Sequence, residues 1–160
     1  MTQPLKLIDT FPYISEYLLL SQLRYFGNTN GNWEFVFEFG GHGNNQKIHG
    51  TLTRAFAEYG YCYEMPFYFP TIGEYAALLE KTGFEVHFAV LFDRLTGLKG
   101  ERGLEDWINM FDRTPFLIVK TEQEKAEIVD KAVEALRNDL FINGKWYADY
   151  VRLRMKAVRL

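Results

Sequence analysis

Cysteine is almost missing from this sequence: Cys62 is the only one. No internal disulfide can form, and a reducing cytoplasm is the expected setting. An excess of positive charge is lacking too, with a formal net charge of -3 and no Lys/Arg-rich tract, which argues against nucleic acid as a partner. Long apolar runs are lacking as well. The N-terminal stretch "MTQPLKLIDTFPYISEYLLLSQ" is broken by polar residues too often to span a membrane or serve as a signal core, so a soluble protein without a membrane partner is expected. Only five prolines occur in 160 residues. No Pro/Gly/Ser linker or internal repeat divides the chain, and a single domain over residues 1–160 is expected.

Apolar and aromatic residues are abundant, at 48% and 17%, enough for a globular core. Residues Tyr13 to Phe26 suit a helix, and "GNTNGN" (27–32) is turn chemistry. Trp33 to Phe39 reads as a strand with aromatics at 33, 35, 37 and 39 on one face. A helix from about Asn45 to Tyr59 carries the stripe Ile48, Leu52, Ala55, Phe56 and Tyr59, with Gly60 as its stop. After an aromatic loop (59–70), Thr71 and Glu74 have capping-box spacing ahead of a helix that buries Ile72, Tyr75, Ala76 and Leu79 and ends at Gly83. Phe84 to Phe92 alternates, placing Phe84, Val86, Phe88, Val90 and Phe92 on one side and Glu85, His87, Ala89 and Leu91 on the other. The loop "DRLTGLKGERG" leads to a short helix with Leu104, Trp107, Ile108 and Phe111. Thr121 and Glu124 cap a helix running to about Asn138, and Asn143-Gly144 turns into a last strand from Trp146 to about Val158. Alternation of this kind predicts an α/β layered sheet.

The segment "GGHGNN" after the first strand raises the question of a phosphate cradle, because glycines admit a close backbone approach and a helix start attracts anions. The full dinucleotide fingerprint is incomplete: Gly41 and Gly43 are followed by Gln46 where the third glycine belongs, and Glu64 does not end a second strand. Glycines that only let a buried strand turn sharply into a helix are the plainer reading.

"EFVFEFGGHGNN", "FYFPTIGEYAALLEKTGFEV", "LFDRLTGLKGERGLEDWINMF" and "WYADYVRLRMKA", in this order over residues 31–158, resemble the C-terminal half of class I S-adenosylmethionine-dependent methyltransferases, in particular their trans-aconitate-methyltransferase-like branch. The resemblance implies a partial Rossmann-like sheet: Trp33–Phe39 as the family's fifth strand, Phe84–Phe92 as its sixth, and Trp146–Val158 as its seventh, antiparallel and between the other two, with flanking helices and a helical cap on the substrate side. The family's cofactor motif, Asp/Glu-x-Gly-x-Gly-x-Gly with an acidic residue after the second strand, does not occur, and residues 1–30 diverge. A truncated or split methyltransferase is therefore implied, with S-adenosylmethionine as the family cofactor but no means of holding it alone. Without its fourth-strand neighbour, Trp33–Phe39 is expected to expose an unpaired edge that invites self-association or a separate N-terminal half.

In such a family the loop after the fifth strand borders the methyl-transfer site, which places His42 and Asn44 near the small-molecule substrate. His42 is the general-base candidate, since an imidazole titrates near neutrality; a solvent-facing turn histidine is the alternative. Arg94 suits a carboxylate clamp or a surface pair with Asp93 or Glu101. Trp107 and Tyr68 suit an apolar substrate pocket, although Trp107 shares its stripe with Leu104, Ile108 and Phe111 and equally suits core packing. Tyr150, Arg152 and Arg154 alternate along the last strand and could project into the site, but basic residues near the end of the chain fit a solvated face better. Glu38 faces either the cofactor cleft or an edge. His49, His87 and Cys62 are scattered, so no metal-ligand spacing arises. A non-enzymatic binding or dimerisation module derived from a methyltransferase is the alternative function.

Overall fold

The computed structural model describes residues 23–29 and 32–159, with side chains from Glu34 onward. The elements in chain order are β1 (Leu23–Thr29), β2 (Asn32–Gly40), α1 (Gln46–Glu58), α2 (Ile72–Lys81), β3 (Phe84–Gly97), α3 (Gly103–Phe111), a short 3-10 helix (Pro115–Ile118), α4 (Glu122–Leu140), β4 (Phe141–Ile142) and β5 (Lys145–Arg159). The protein is mixed α/β. Its open antiparallel sheet has the order β1-β2-β5-β3, and β4 forms a short hairpin with the start of β5. None of the helices among the described residues is long and apolar enough to cross a membrane.

The chain divides into two compact units. The first contains residues up to His42, Pro70–Phe92 and Arg152–Leu160; the second contains Gly43–Phe69 and Asp93–Val151. Each has its own apolar core.

In the first unit, Phe35, Phe37 and Phe39 of β2 and Leu153, Met155 and Ala157 of β5 form one buried sheet face, covered by Tyr75 and Leu79 of α2. The period-two spacing of these residues is what directs them to one side. Helix α2 starts as its sequence predicts. The Thr71 hydroxyl accepts from Glu74 N–H, and the Glu74 carboxylate accepts from Thr71 N–H at 2.8 Å, a complete capping box. Gly83, at φ +85°, follows the helix end.

Three expectations change here. The stretch from Leu23 onward is a strand, where a helix over Tyr13–Phe26 was expected; the rest of that helix lies outside the described residues. The physical reason is the Asn/Gly-rich segment between β1 and β2, which suits a hairpin: Thr29 partners Asn32, and the antiparallel register runs on to Leu23 opposite Phe37. As a result β2 is paired with β5 over Glu34–Gly40 and with β1 over Asn32–Phe37, so among the described residues the margin expected to be open along Trp33–Phe39 is covered from Trp33 to Phe37. Over that stretch the backbone of β2 is paired within the chain.

The second change concerns β3. Phe84 and Val86 pack against the core, but so do Ala89 and Leu91, while Phe88 is half exposed. The inward face therefore slips by one residue between Val86 and Ala89, so strict alternation does not hold over the whole strand. The strand also runs on to Gly97, through what was expected to be the start of a loop.

The third is Glu38, whose strand is not an outer strand of the sheet. It is 4% exposed on an interior strand, and its carboxylate accepts from Arg154 Nε at 2.8 Å and Nη2 at 2.6 Å, with Arg152 Nε at 3.4 Å. Cross-strand guanidinium groups from β5 compensate its burial.

In the second unit, Ile48, Leu52, Ala55 and Phe56 of α1 pack with Leu104, Trp107 and Ile108 of α3 and with Ile128, Val129, Ala132, Leu136 and Leu140 of α4. These are the stripes read from the sequence, aligned by their 3–4 spacing, except that Ile128 joins the α4 stripe and Phe111, read as part of the α3 stripe, is exposed. Thr121 caps α4 by accepting from Glu124 N–H at 3.1 Å.

Candidate functional site

The glycine turn resolves into a structural joint. A Cβ on Gly41 would lie 2.9 Å from Leu153 Cβ and would also strike Leu91, so only glycine fits between the strands of the first unit. In the second unit Gly43 has φ +85°, the left-handed region that favours glycine. Asn45 also sits in the left-handed region at φ 53° and gives α1 no side-chain cap. The first turn of α1 is capped from a distant strand instead: Asp149 Oδ2 accepts from Lys47 N–H at 2.8 Å, and Asp149 C=O accepts from Asn45 N–H at 2.9 Å. The position an anion would take at this helix start is filled by the protein's own carboxylate. The turn is not a phosphate cradle, and the residues here do not fit a cofactor carboxylate or phosphate.

The five residues singled out from the sequence occupy different environments. His42 is exposed, and its backbone N–H donates to Pro70 C=O at 2.8 Å. Asn44 is buried, and its Oδ1 accepts from Val151 N–H at 2.9 Å, so its amide oxygen stitches the turn to β5. Tyr68 and Arg94 are exposed. Trp107 is 4% exposed within the core of the second unit, and its indole N–H donates to the Tyr150 hydroxyl at 2.8 Å.

The polar group that stands out chemically was not among them. His49, on α1, is 2% exposed, and Asp112, just after α3, is fully buried. Between them lies Tyr63, from the aromatic loop after α1. Its hydroxyl is 2.6 Å from His49 Nδ1 and donates to Asp112 Oδ1 at 3.3 Å. His49 Nδ1 and Asp112 Oδ2 are 3.8 Å apart. Rings surround the imidazole: Phe67, Phe69 and Trp107 have centroids 5.8, 6.0 and 6.1 Å from it.

Burial sets the protonation of this trio. It lowers the His49 pKa to about 4, so the imidazole is neutral at neutral pH. It raises Asp112 to about 7, with the Tyr63 hydrogen bond opposing the rise. Burial, then the nearby Asp112 carboxylate, pushes the Tyr63 phenol up. The contact between His49 and Asp112 is therefore no ordinary ion pair. Two atoms of the trio, His49 Nε2 and Asp112 Oδ2, are buried with no hydrogen-bond partner, and such groups are expensive unless something completes them. Both residues extend apolar stripes: His49 follows Ile48 and precedes Leu52 by three, and Asp112 follows Ile108 by four. A polar residue at a core position of a helical stripe is the signal in the sequence that would have found them. Among the described residues no group of three or more His, Cys, Asp or Glu side chains gathers to hold a metal ion.

No protein-family model matches the chain, and no curated protein matches it significantly.

Proposed function

We propose that the chain is the sheet-closing half of a class I S-adenosylmethionine-dependent methyltransferase acting on a small molecule, and that it does not hold the cofactor alone. One observation carries the reading. In the first unit β5 lies between β2 and β3 and runs antiparallel to β2, the placement that the fifth, sixth and seventh strands have in that family. The four sequence segments that resemble the family fall on β2 with its turn, α2 with β3, the region from β3 through α3, and β5, in the family's order. Against autonomous cofactor binding stand the missing Asp/Glu-x-Gly-x-Gly-x-Gly motif and an α1 start already occupied by Asp149. Titration calorimetry of the full chain with S-adenosylmethionine tests this: no heat of binding is expected, and micromolar affinity would overturn the claim that the cofactor-holding half is needed.

A second reading, a self-contained binding module derived from a methyltransferase, is favoured by β1, which pairs along the margin of β2 where the family's fourth strand would lie. Light scattering after size exclusion distinguishes the two readings. The module reading expects a single species whether or not a separately expressed methyltransferase N-terminal half is added. The half-enzyme reading expects a new, heavier complex.

A further inference from the structure

The second unit contains a hydrogen-bonded line that begins at a buried carboxylate and ends at a buried, unpartnered nitrogen. Asp112 Oδ1, the Tyr63 hydroxyl and His49 Nδ1 are joined at 3.3 and 2.6 Å, and His49 Nε2 at the far end has no partner among the rings of Phe67, Phe69 and Trp107. A tyrosine hydroxyl has one proton to give and lone pairs with which to accept, so the line can be ordered in two ways. In one, His49 Nδ1–H donates to Tyr63, Tyr63 donates to the Asp112 carboxylate, and Nε2 is a bare lone pair. In the other, protonated Asp112 donates to Tyr63, Tyr63 donates to Nδ1, and the imidazole proton sits on Nε2.

We propose that His49, Tyr63 and Asp112 form a proton relay, and that His49 Nε2 is its open end, a site that takes a proton from the O–H or N–H group of a small ligand seated against Phe67, Phe69 and Trp107. The ligand X–H gives its proton to Nε2 and keeps the bonding electron pair as an anion. The Nδ1 proton passes to the Tyr63 oxygen, the Tyr63 proton passes to Asp112 Oδ1, and the carboxylate becomes a neutral acid. One negative charge moves from Asp112 to the ligand, and the total is unchanged. The imidazole is neutral before and after, which suits a ring whose burial disfavours the imidazolium, and the final acceptor is a carboxyl that titrates near neutrality. The titratable groups in contact with the imidazole are Tyr63 and Asp112; its other ring neighbours carry no proton that ionises near neutral pH. Phe67 and Phe69 belong to the irregular segment between α1 and α2 and are only partly buried. The relay does not depend on the methyltransferase reading.

The test is the tautomer of His49 in the full chain, read from its imidazole nitrogen shifts and assigned by their loss in H49Q. On either side of the Asp112 value of about 7, the proton is expected to exchange from Nδ1 at high pH to Nε2 at low pH, with the ring neutral throughout. Y63F and D112N each abolish the exchange; should one of them fail to fold, the other still decides. With para-nitrophenol as the probe near neutral pH, wild type is expected to raise the phenolate absorbance and Y63F to leave it at the buffer level. A tautomer fixed across the range, an exchange that survives Y63F, an imidazolium appearing in place of the exchange, or a phenolate absorbance that wild type leaves at the buffer level overturns the proposal.

Discussion

The buried His49–Asp112 pair makes a prediction about stability and pH that separates its two members. His49 has a folded pKa lowered to about 4 from an ordinary 6.5. The unfolded chain binds its proton first, so this group takes stability away as pH falls from 6.5 towards 4. At 1.36 kcal/mol per pKa unit the loss is about 3 kcal/mol. Asp112 is raised from 3.8 to about 7, so here the folded chain holds the proton more tightly. Its contribution is fully present below pH 3.8 and is lost as pH rises through 7, again worth about 4 kcal/mol. Between pH 4 and 6.5 the two slopes oppose each other, and the pair as a whole leaves the wild type nearly flat. Single substitutions expose each slope. Relative to wild type, D112N gains stability as pH rises from 4 to 7, by up to about 4 kcal/mol. H49Q gains relative to wild type as pH falls from 6.5 to 4, by up to about 3 kcal/mol. Urea denaturation of the three proteins across this range, with m-values compared to check that the unfolded states match, gives the differences directly. Every other titrating group cancels in the subtraction. If either difference stays constant with pH, or runs in the opposite direction, the pair is not buried and neutral as described.

Three further outcomes follow from local geometry. G41A places a methyl group 2.9 Å from Leu153 Cβ and is expected to cost about 1–3 kcal/mol in urea unfolding. T71A removes the hydroxyl that accepts from Glu74 N–H at 3.2 Å and is expected to cost about 1 kcal/mol. R154A removes the Nε and Nη2 contacts to Glu38, a carboxylate 4% exposed, and is expected to cost about 1–3 kcal/mol in the same assay.

The elements whose residues decide their own conformation were legible in the sequence. Thr71 and Glu74 form their box within one turn of chain, and the α1, α3 and α4 stripes need only a 3–4 period to be seen. The features that were not legible depend on partners far along the chain. Glu38 on an apolar strand looks like an edge or cleft residue until Arg152 and Arg154 are known to lie across from it, more than a hundred residues later. The start of α1 offers free N–H groups until Asp149 is known to take one. The inward face of β3 slips within a run whose alternation looked unbroken, because Ala89 and Leu91 are as apolar as the residues they replace. His49 was passed over for a different reason. As one of three scattered histidines it signalled nothing, and only its place in the α1 stripe, between Ile48 and Leu52, marked it as buried.

The fate of the β2 margin shows how a single turn alters what a sheet fragment can do. With the family's arrangement in mind, a strand that begins at Trp33 needs a neighbour, and an unpaired aromatic strand is a standing invitation to another chain. The segment joining β1 to β2 supplies that neighbour locally. Leu23 reaches Phe37, so β1 covers the first two thirds of β2, while β5 runs from Glu34 to Gly40 on the other side. Over Asn32–Phe37 the backbone groups on that side of β2 are thus used within this chain. The register between β1 and β2 is irregular between Leu23 and Tyr25, a disturbance that increases twist and discourages further strand addition at that end. The outer positions of the sheet pass to β1 and β3. On the methyltransferase reading proposed above, a partner that completes this sheet must displace β1 from β2. On that reading the energy of the exchange, more than any surface complementarity, decides between half of an enzyme and a module in its own right.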